Sequence, residues 1–156
     1  MAQVFSCFAE GEPKPQPRPK AARRGGFIQI YTPATAKEWR SAVESAVKDQ
    51  KASEDLEDAS GSIFSGPLSL RLTFFLKRPQ RLMRAKDPDG VVSHTATPDC
   101  DNLAKAVMDA ITDTNVVWGD DSQVQDLLIS KRYVAKEGRT GCQIQIKPSC
   151  DELPNY

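Results

Sequence analysis

The sequence has no apolar run that approaches the roughly 20 residues needed to cross a bilayer. Its first ten residues also lack the basic start and long apolar stretch of a signal peptide. Only 39% of the 156 residues are hydrophobic, which is slightly low for a globular chain. We therefore expect no membrane association, a cytoplasmic location and a single compact domain with exposed polar segments.

Histidine is almost absent, and the four cysteines never show the CxxC spacing of a structural zinc site. The cysteines are Cys7, Cys100, Cys142 and Cys150. We expect free thiols in a reducing compartment. The alternative is a zinc site that combines His94, the only histidine, with Cys100 and a remote cysteine.

The chain also lacks net charge, because 21 basic residues balance 21 acidic ones. This balance counts against a general nucleic-acid binder, which is usually basic. Many cations nevertheless lie in two acid-free blocks. The first block holds Lys14, Arg18, Lys20, Arg23 and Arg24, and the second holds Lys77, Arg78, Arg81, Arg84 and Lys86. The blocks suit contacts to a polyanion, and two solvated loops are an equally good interpretation.

Alternating apolar residues predict a set of strands. The predicted strands cover residues 3–8, 27–31, 68–76, 123–135 and 141–147. A turn at 136–138 is expected to join the last two as a hairpin, and the proline-rich segment 11–26 is expected to be an extended loop. The sequence thus predicts an α+β fold with a small mixed sheet.

Two amphipathic helices complete this fold. The first is expected to start at Thr32 and Pro33, with Thr32 as N-cap, and to bury one face. That face carries Trp39, Val43, Ala46 and Val47. The second covers residues 101–112 and buries Leu103, Val107, Ala110 and Ile111. Residues 1–148 then form one domain with a flexible acidic loop at 52–62, and residues 149–156 form a tail.

Aspartates crowd the region around the second predicted helix. Asp99 and Asp101 are two residues apart in an extended entry segment, so their side chains can share one side. Lys105 lies one helical turn after Asp101 on the same helix face. Asp120 and Asp121 follow in the next turn.

This pattern fits a magnesium site. Mg²⁺ prefers oxygen ligands, and two or three carboxylates from different elements can hold it beside a phosphodiester. The structural alternative is that one acid caps the helix, Lys105 pairs with Asp101, and Asp120 and Asp121 form a surface turn. The pattern alone leaves both interpretations open.

The same residues resemble the RusA family of Holliday-junction resolvases, small endodeoxyribonucleases of bacteria and prophages. The central motif of that family is similar to P-D-x-D-N-L-x-K followed by D-A, and a second motif is similar to W-x-D-D-x-Q-V. The matching residues are Pro98, Asp99, Asp101, Asn102, Leu103, Lys105, Asp109, Ala110, Trp118, Asp120, Asp121, Gln123 and Val124. A third likeness joins the proline-rich segment from Gly11 to the Tyr31-Thr32-Pro33 stretch.

The resemblance implies a homodimeric nuclease that cuts four-way or other branched DNA with Mg²⁺, which Mn²⁺ can replace. It implies metal binding and catalysis by Asp99, Asp101 and Asp121, with Lys105 as catalytic lysine. The expected DNA contacts are Lys14, Arg18, Lys20, Arg23, Arg24, Lys77, Arg78 and Lys131. Two alternatives remain: a junction-binding protein without useful catalysis, such as a degenerate prophage copy, and a metal phosphohydrolase acting on nucleotides.

Overall fold

The computed structural model describes residues 3–31, 34, 36–54 and 62–150, which form an α+β fold around a five-stranded mixed sheet. In chain order the elements are β1 (Phe5–Glu10), β2 (Lys20–Arg24), β3 (Phe27–Tyr31), α1 (Lys37–Ser53), β4 (Leu68–Leu76), β5 (Val92–Ser93), α2 (Cys100–Thr114), β6 (Val124–Tyr133) and β7 (Gly141–Pro148). Single 3-10 turns lie at Gln80–Leu82 and Asp121–Gln123. The predicted fold class is confirmed.

The strand order in the main sheet is β1-β7-β4-β6-β5. β4 and β6 run parallel, and the other neighbours are antiparallel. The expected hairpin between the last two strands is therefore wrong, because β4 lies between β6 and β7. β4 has a partner on each side, and every second residue from Leu68 to Leu76 is buried because one face of this strand is covered.

Both helices bury the faces that the sequence predicts. In α1 these are Trp39, Val43 and Val47, and in α2 they include Leu103 and Val107. Together with the alternating side chains of β4 and β7 they form one apolar core. The helices thus cover the face of the sheet that the core side chains of β4 occupy.

The helix ends differ from the expectation. α1 begins at Lys37 with Ala36 in the N-cap position, so the predicted start was too early, and Thr32 and Pro33 lie outside the described residues. α2 ends at Thr114, and the following Asn115, in the C-cap position, has a φ of 54°, the left-handed conformation that commonly closes a helix.

The predicted loop at 11–26 contains a strand that sequence analysis missed. β2 pairs with β3 as a separate antiparallel hairpin, from Lys20 opposite Tyr31 to Arg24 opposite Phe27. Nearly all of its side chains are exposed. Without a buried face, β2 has no alternation of apolar and polar residues that could reveal it.

The structure describes residues at the predicted start of the acidic loop and at the predicted start of the C-terminal tail. α1 continues to Ser53, so the acidic loop cannot start at 52, and residues 55–61 lie outside the described part. The backbone N–H of Ser149 donates to the carbonyl oxygen of Pro67 at 2.9 Å, which ties the first tail residue to the domain. Residues 151–156 are likewise outside the described part. None of the described helices is long and apolar enough to span a membrane.

Candidate functional site

The start of α2 presents two uncommitted carboxylates. Asp99 occupies the N-cap position, yet its side chain makes no capping hydrogen bond, and Asp101 lies in the first turn. Both are exposed, and neither carboxylate has a hydrogen bond or ion pair within the described residues. The capping interpretation thus leaves these side chains unexplained, and they are available to a cation.

Lys105 lies on the same face, about 6 Å further along the helix axis than Asp101. Its ammonium Nζ is 2.7 Å from Oδ1 of Asp109, so its partner is Asp109 rather than Asp101 as the structural alternative supposed. The hydrogen bond to Asp109 raises the pKa of Lys105, and the charge of Asp121 adds to this rise. Lys105 therefore remains a protonated, fixed cation with Asp109 and Asp121 beside it.

In the turn that leads into β6, the neighbouring residues Asp120 and Asp121 have different roles. Asp120 caps the 3-10 turn by accepting from the backbone N–H of Ser122, and hydrogen bonds from Ser122 lower the pKa of its carboxyl. The side chain of Gln123 accepts from the N–H groups of Gly119 and Asp120 at 2.8 and 3.2 Å. Asp120 thus has a structural role, which leaves Asp121 for the site.

This turn is anchored to the core on both sides. Trp118 is fully buried, and its indole N–H donates to the hydroxyl oxygen of Thr112 at 2.9 Å. The side-chain amide of Gln123 donates to the carbonyl oxygen of Gly66 at 3.1 Å. Asp121 is therefore held in place between the end of α2 and the start of β4.

The donor chemistry fits Mg²⁺, since the three predicted ligands are carboxylates and two of them have no protein partner. As placed, however, no three Asp, Glu, His or Cys side chains among residues 3–31, 34, 36–54 and 62–150 are close enough together to hold a metal ion. Metal binding by Asp99, Asp101 and Asp121 stays a prediction. No zinc group combines His94 with cysteines in that part of the chain, and all four cysteines are free.

A cleft of about 560 Å³ lies beside Asp99. Its walls are the proline-rich segment, the end of β4 and the segment before α2, and its lining includes Lys14 and Lys77. The backbone N–H of Gln16 donates to the carbonyl oxygen of Asn102 at 3.0 Å, which holds the proline-rich segment against the first turn of α2. Two predicted DNA contacts thus share a cleft with a predicted metal ligand.

His94 and Tyr133 also line this cleft, and sequence analysis did not identify either as part of the site. Their ring centroids are 4.4 Å apart at 54°. Burial lowers the pKa of His94, and the charge of Lys131 lowers it further, so the ring is neutral at pH 7. His94 is the only histidine of the chain, which was the one sequence feature that could have drawn attention to it. The sequence alone does not show that its side chain lies in the same cleft as Asp99.

Arg78, a predicted DNA contact, is committed within the protein. Its side chain is only 5% exposed, and its guanidinium donates to four backbone carbonyls. The accepting residues are Val134, Leu82, Pro88 and Gly90. Arg78 therefore holds the loop after β4 and has little donor capacity left for a phosphate.

Lys131, which was also predicted to contact DNA, is hydrogen-bonded within the protein. Its ammonium donates to the carbonyl oxygens of Ala96 and Pro98, just before Asp99. Two of its three donors are thereby committed within the protein. The position of Lys131 assigns it to holding the segment that leads into the site.

The remaining predicted cations are exposed on the hairpin and on the segment before it. They are Arg18, Lys20, Arg23 and Arg24. None of them makes an ion pair within the described part of the chain, so their charges are free to attract a polyanion.

The fold and the site define a small α+β protein with exposed acids and a fixed lysine, flanked by a cleft that Lys14 and Lys77 line together with Glu12 and Asp99. A family model described as "Endodeoxyribonuclease RusA" matches residues 10–147, and the chain belongs to this family of endodeoxyribonucleases. The match includes every residue of the candidate site. The chain is also similar to "Uncharacterized protein YqaN" of Bacillus subtilis (strain 168), with 32% identity over 128 residues, 79% of this chain and 83% of that protein.

Proposed function

We propose that the protein is a Mg²⁺-dependent endodeoxyribonuclease that cuts four-way and other branched DNA by phosphodiester hydrolysis, in recombination and repair. The observation that carries the proposal is the pair of uncommitted carboxylates, Asp99 and Asp101, beside a fixed Lys105, in a chain of an endodeoxyribonuclease family. Neither helix capping nor surface ion pairing accounts for these two acids.

In this proposal Asp99, Asp101 and Asp121 hold the Mg²⁺, and Mn²⁺ can replace it. The bound ion supplies an activated water and stabilises charge on the phosphate. Lys105 adds a positive charge that Asp109 orients, and this charge stabilises the phosphate or the leaving oxygen. The hydrogen bond to Asp109 raises the pKa of Lys105, so in this proposal Lys105 acts as a fixed positive charge.

DNA backbones are held by the exposed cations around the cleft. Lys77 and the half-buried Lys14 line the cleft, and the ammonium of Lys14 lies 3.1 Å from a carboxylate oxygen of Glu12. The cations of the hairpin add an exposed positive surface. Such phosphate contacts are independent of sequence and weaken as salt increases. The zero net charge of the chain is compatible with this, because the acids lie largely outside these segments.

We further propose that the protein works as a homodimer. Two copies related by a two-fold axis would present two sites to a junction of matching symmetry, so that two strands are nicked in pairs. The resemblance of the site motifs supports this assembly.

The decisive experiment uses an end-labelled four-way junction, a titration of Mg²⁺ and a linear duplex as competitor. We expect paired nicks that require the metal. Asp101→Asn should bind the junction like the wild type and not cut it. Asp49→Asn, which changes an exposed aspartate of α1, serves as the matched control and should cut normally. Normal cutting by Asp101→Asn would contradict the assignment.

A second candidate is a junction-binding protein without significant catalysis. The separation of the carboxylates favours it, since no complete metal-binding group is present among the described residues. The same assay decides between the two. Tight junction binding without a nicked product at any concentration of Mg²⁺ or Mn²⁺ would support this candidate.

A further inference from the structure

The two faces of the β2–β3 hairpin differ in chemistry. Residues directly opposite each other in an antiparallel pair share a face, and successive pairs alternate between faces. The register places Lys20 opposite Tyr31 and Arg24 opposite Phe27. These two pairs lie on the same face of the hairpin, and one further pair lies between them on that face. We call this set of four side chains the cation–aromatic face.

The other face of the hairpin is aliphatic. It carries Ile28 opposite Arg23 and Ile30 opposite Ala21. The two isoleucines are 75% and 73% exposed, and Phe27 and Tyr31 are 80% and 46% exposed, so both faces present exposed apolar side chains. What distinguishes them is that only one face combines aromatic rings with two cations.

The hairpin is a defined projection from the domain. Its tip is Gly25-Gly26, with φ values of 55° and 89°, as a type I′ turn between two strands requires. It has no extensive contact with any other helix or strand among the described residues. Phe27 and Tyr31 therefore lie exposed on a regular scaffold, where burial in the core of this chain does not explain them.

The hairpin also lies near the candidate site. Gln16 is hydrogen-bonded to Asn102, in the first turn of α2. Lys20 follows Gln16 by four residues, which span at most about 14 Å. With about 3.4 Å between successive nucleotides along a strand, this corresponds to about four nucleotides. The base of the hairpin is thus within the length of a few nucleotides of the segment that contacts the first turn of α2.

We propose that the cation–aromatic face binds unstacked bases at the branch point of DNA. Lys20 and Arg24 contact the phosphates, while Phe27 and Tyr31 stack on the exposed bases at the branch. In a continuous duplex the bases are stacked on their neighbours and are not accessible to these rings. Aromatic rings bind exposed bases of any sequence in this way, and neighbouring cations track the backbone. The hairpin would then distinguish a branch from linear duplex. This inference rests on the proposed function.

The test measures binding by fluorescence anisotropy of a labelled four-way junction and of a labelled linear duplex, with the full chain and without Mg²⁺. The variant Phe27→Ala/Tyr31→Ala should weaken junction binding at least about fivefold for each ring that stacks. Duplex binding should change less than twofold. The matched control, Ile28→Ala/Ile30→Ala, removes similar exposed apolar surface from the other face and should bind both DNAs normally.

A third variant separates stacking from charge. Lys20→Ala/Arg24→Ala should weaken binding to both DNAs and reduce the dependence of binding on salt, because two phosphate contacts are lost. The thermal midpoints of all variants are expected to match the wild type, since these side chains do not pack in the core.

The outcomes separate this inference from the proposed function. If the wild type cuts junctions and the aromatic double variant binds them equally well, the proposed function stands and the role of this face is wrong. If the isoleucine variant instead loses junction binding and shifts to a smaller species in sedimentation, the hairpin is an interface between copies of the chain. If the wild type binds no branched DNA, both proposals fail.

Discussion

Asp120 and Asp121 are adjacent in sequence and have different surroundings. Hydrogen bonds from Ser122 engage the carboxyl of Asp120 in the turn, whereas the charge of Asp121 acts on Lys105. Sequence analysis could identify the pair and, through the family motif, select Asp121. It could not assign the structural role of Asp120, because that role depends on how the turn closes with Gln123.

Lys105 provides the sharpest prediction for a single residue. Lys105→Met removes the fixed charge and should reduce single-turnover cleavage of a junction by about 100-fold to 1000-fold, as expected for loss of one electrostatic contact to the reacting group. Junction affinity should change little. Stability should fall by no more than about 1 kcal/mol, since the Lys105 side chain is 58% exposed and that of Asp109 is 24% exposed.

Lys105→Arg is the control for this prediction. It keeps the charge but changes its geometry, so it should recover part of the cleavage rate. If Lys105→Met cuts junctions as fast as the wild type, the catalytic role of this lysine must be abandoned.

Strands and helices were predictable where one face is buried. β4 has the predicted bounds, and both helices bury most of the predicted residues, because burial imposes a period of two or about 3.6 on the sequence. β3 also has the predicted bounds although none of its side chains is buried, because its residue types favour a strand. β2 and the partners of β7 escaped prediction. β2 has no buried face that would produce an alternating pattern. The neighbours of β7 in the sheet depend on pairing between distant parts of the chain, which a local sequence pattern does not show.

The loop that follows β4 is a separate element whose order depends on Arg78. Arg78→Met should lower the free energy of unfolding by at least about 2 kcal/mol. The reason is that the backbone carbonyls that accept hydrogen bonds from the guanidinium would be left without a donor. Thermal or denaturant unfolding measures this loss.

The neighbouring Lys77 is the matched comparison, because it is exposed and lines the cleft. Lys77→Met should leave stability within about 0.5 kcal/mol of the wild type. It should weaken junction binding and reduce the slope of log affinity against log salt by about one. The reverse pattern, with Lys77 stabilising the fold and Arg78 binding DNA, would refute our placement of both residues.

For the molecule as a whole, the sequence predicted the α+β class, whereas the metal ligands that the family motifs assign around α2 stay a prediction. The sheet order was not predictable. β4 and β6 are separated by α2 and pair in parallel, which only the packing of the helix across the sheet decides. The cleft escaped prediction for the same reason, since its walls come from three distant parts of the chain.

The closed core predicts the reactivity of the thiols. Cys7 and Cys142 are buried between the strands and the helices, and burial raises the pKa of Cys7 to about 12 and that of Cys142 as well. At pH 8 an aromatic disulfide reagent should therefore modify Cys100 and Cys150 quickly. The other two should react only when the protein opens, at a rate that denaturant increases.

Variants with each cysteine replaced by serine assign the signals. Rapid modification of Cys7 or Cys142 in the native protein would show that the sheet and the helices do not close as described.

The strand register has a practical consequence for following single molecules. Phe5 lies opposite Ile146, and Leu68 opposite Pro148, so the exposed Cys150 emerges at the Leu68 end of the sheet. The cleft lies at the other end of β4, about 26 Å away, where Leu76 lines it. A dye or surface tether attached to Cys150, in a chain with Cys100→Ser, would leave the cleft accessible and would lie at the end of the sheet where the Asp121 turn enters β6 opposite Leu68.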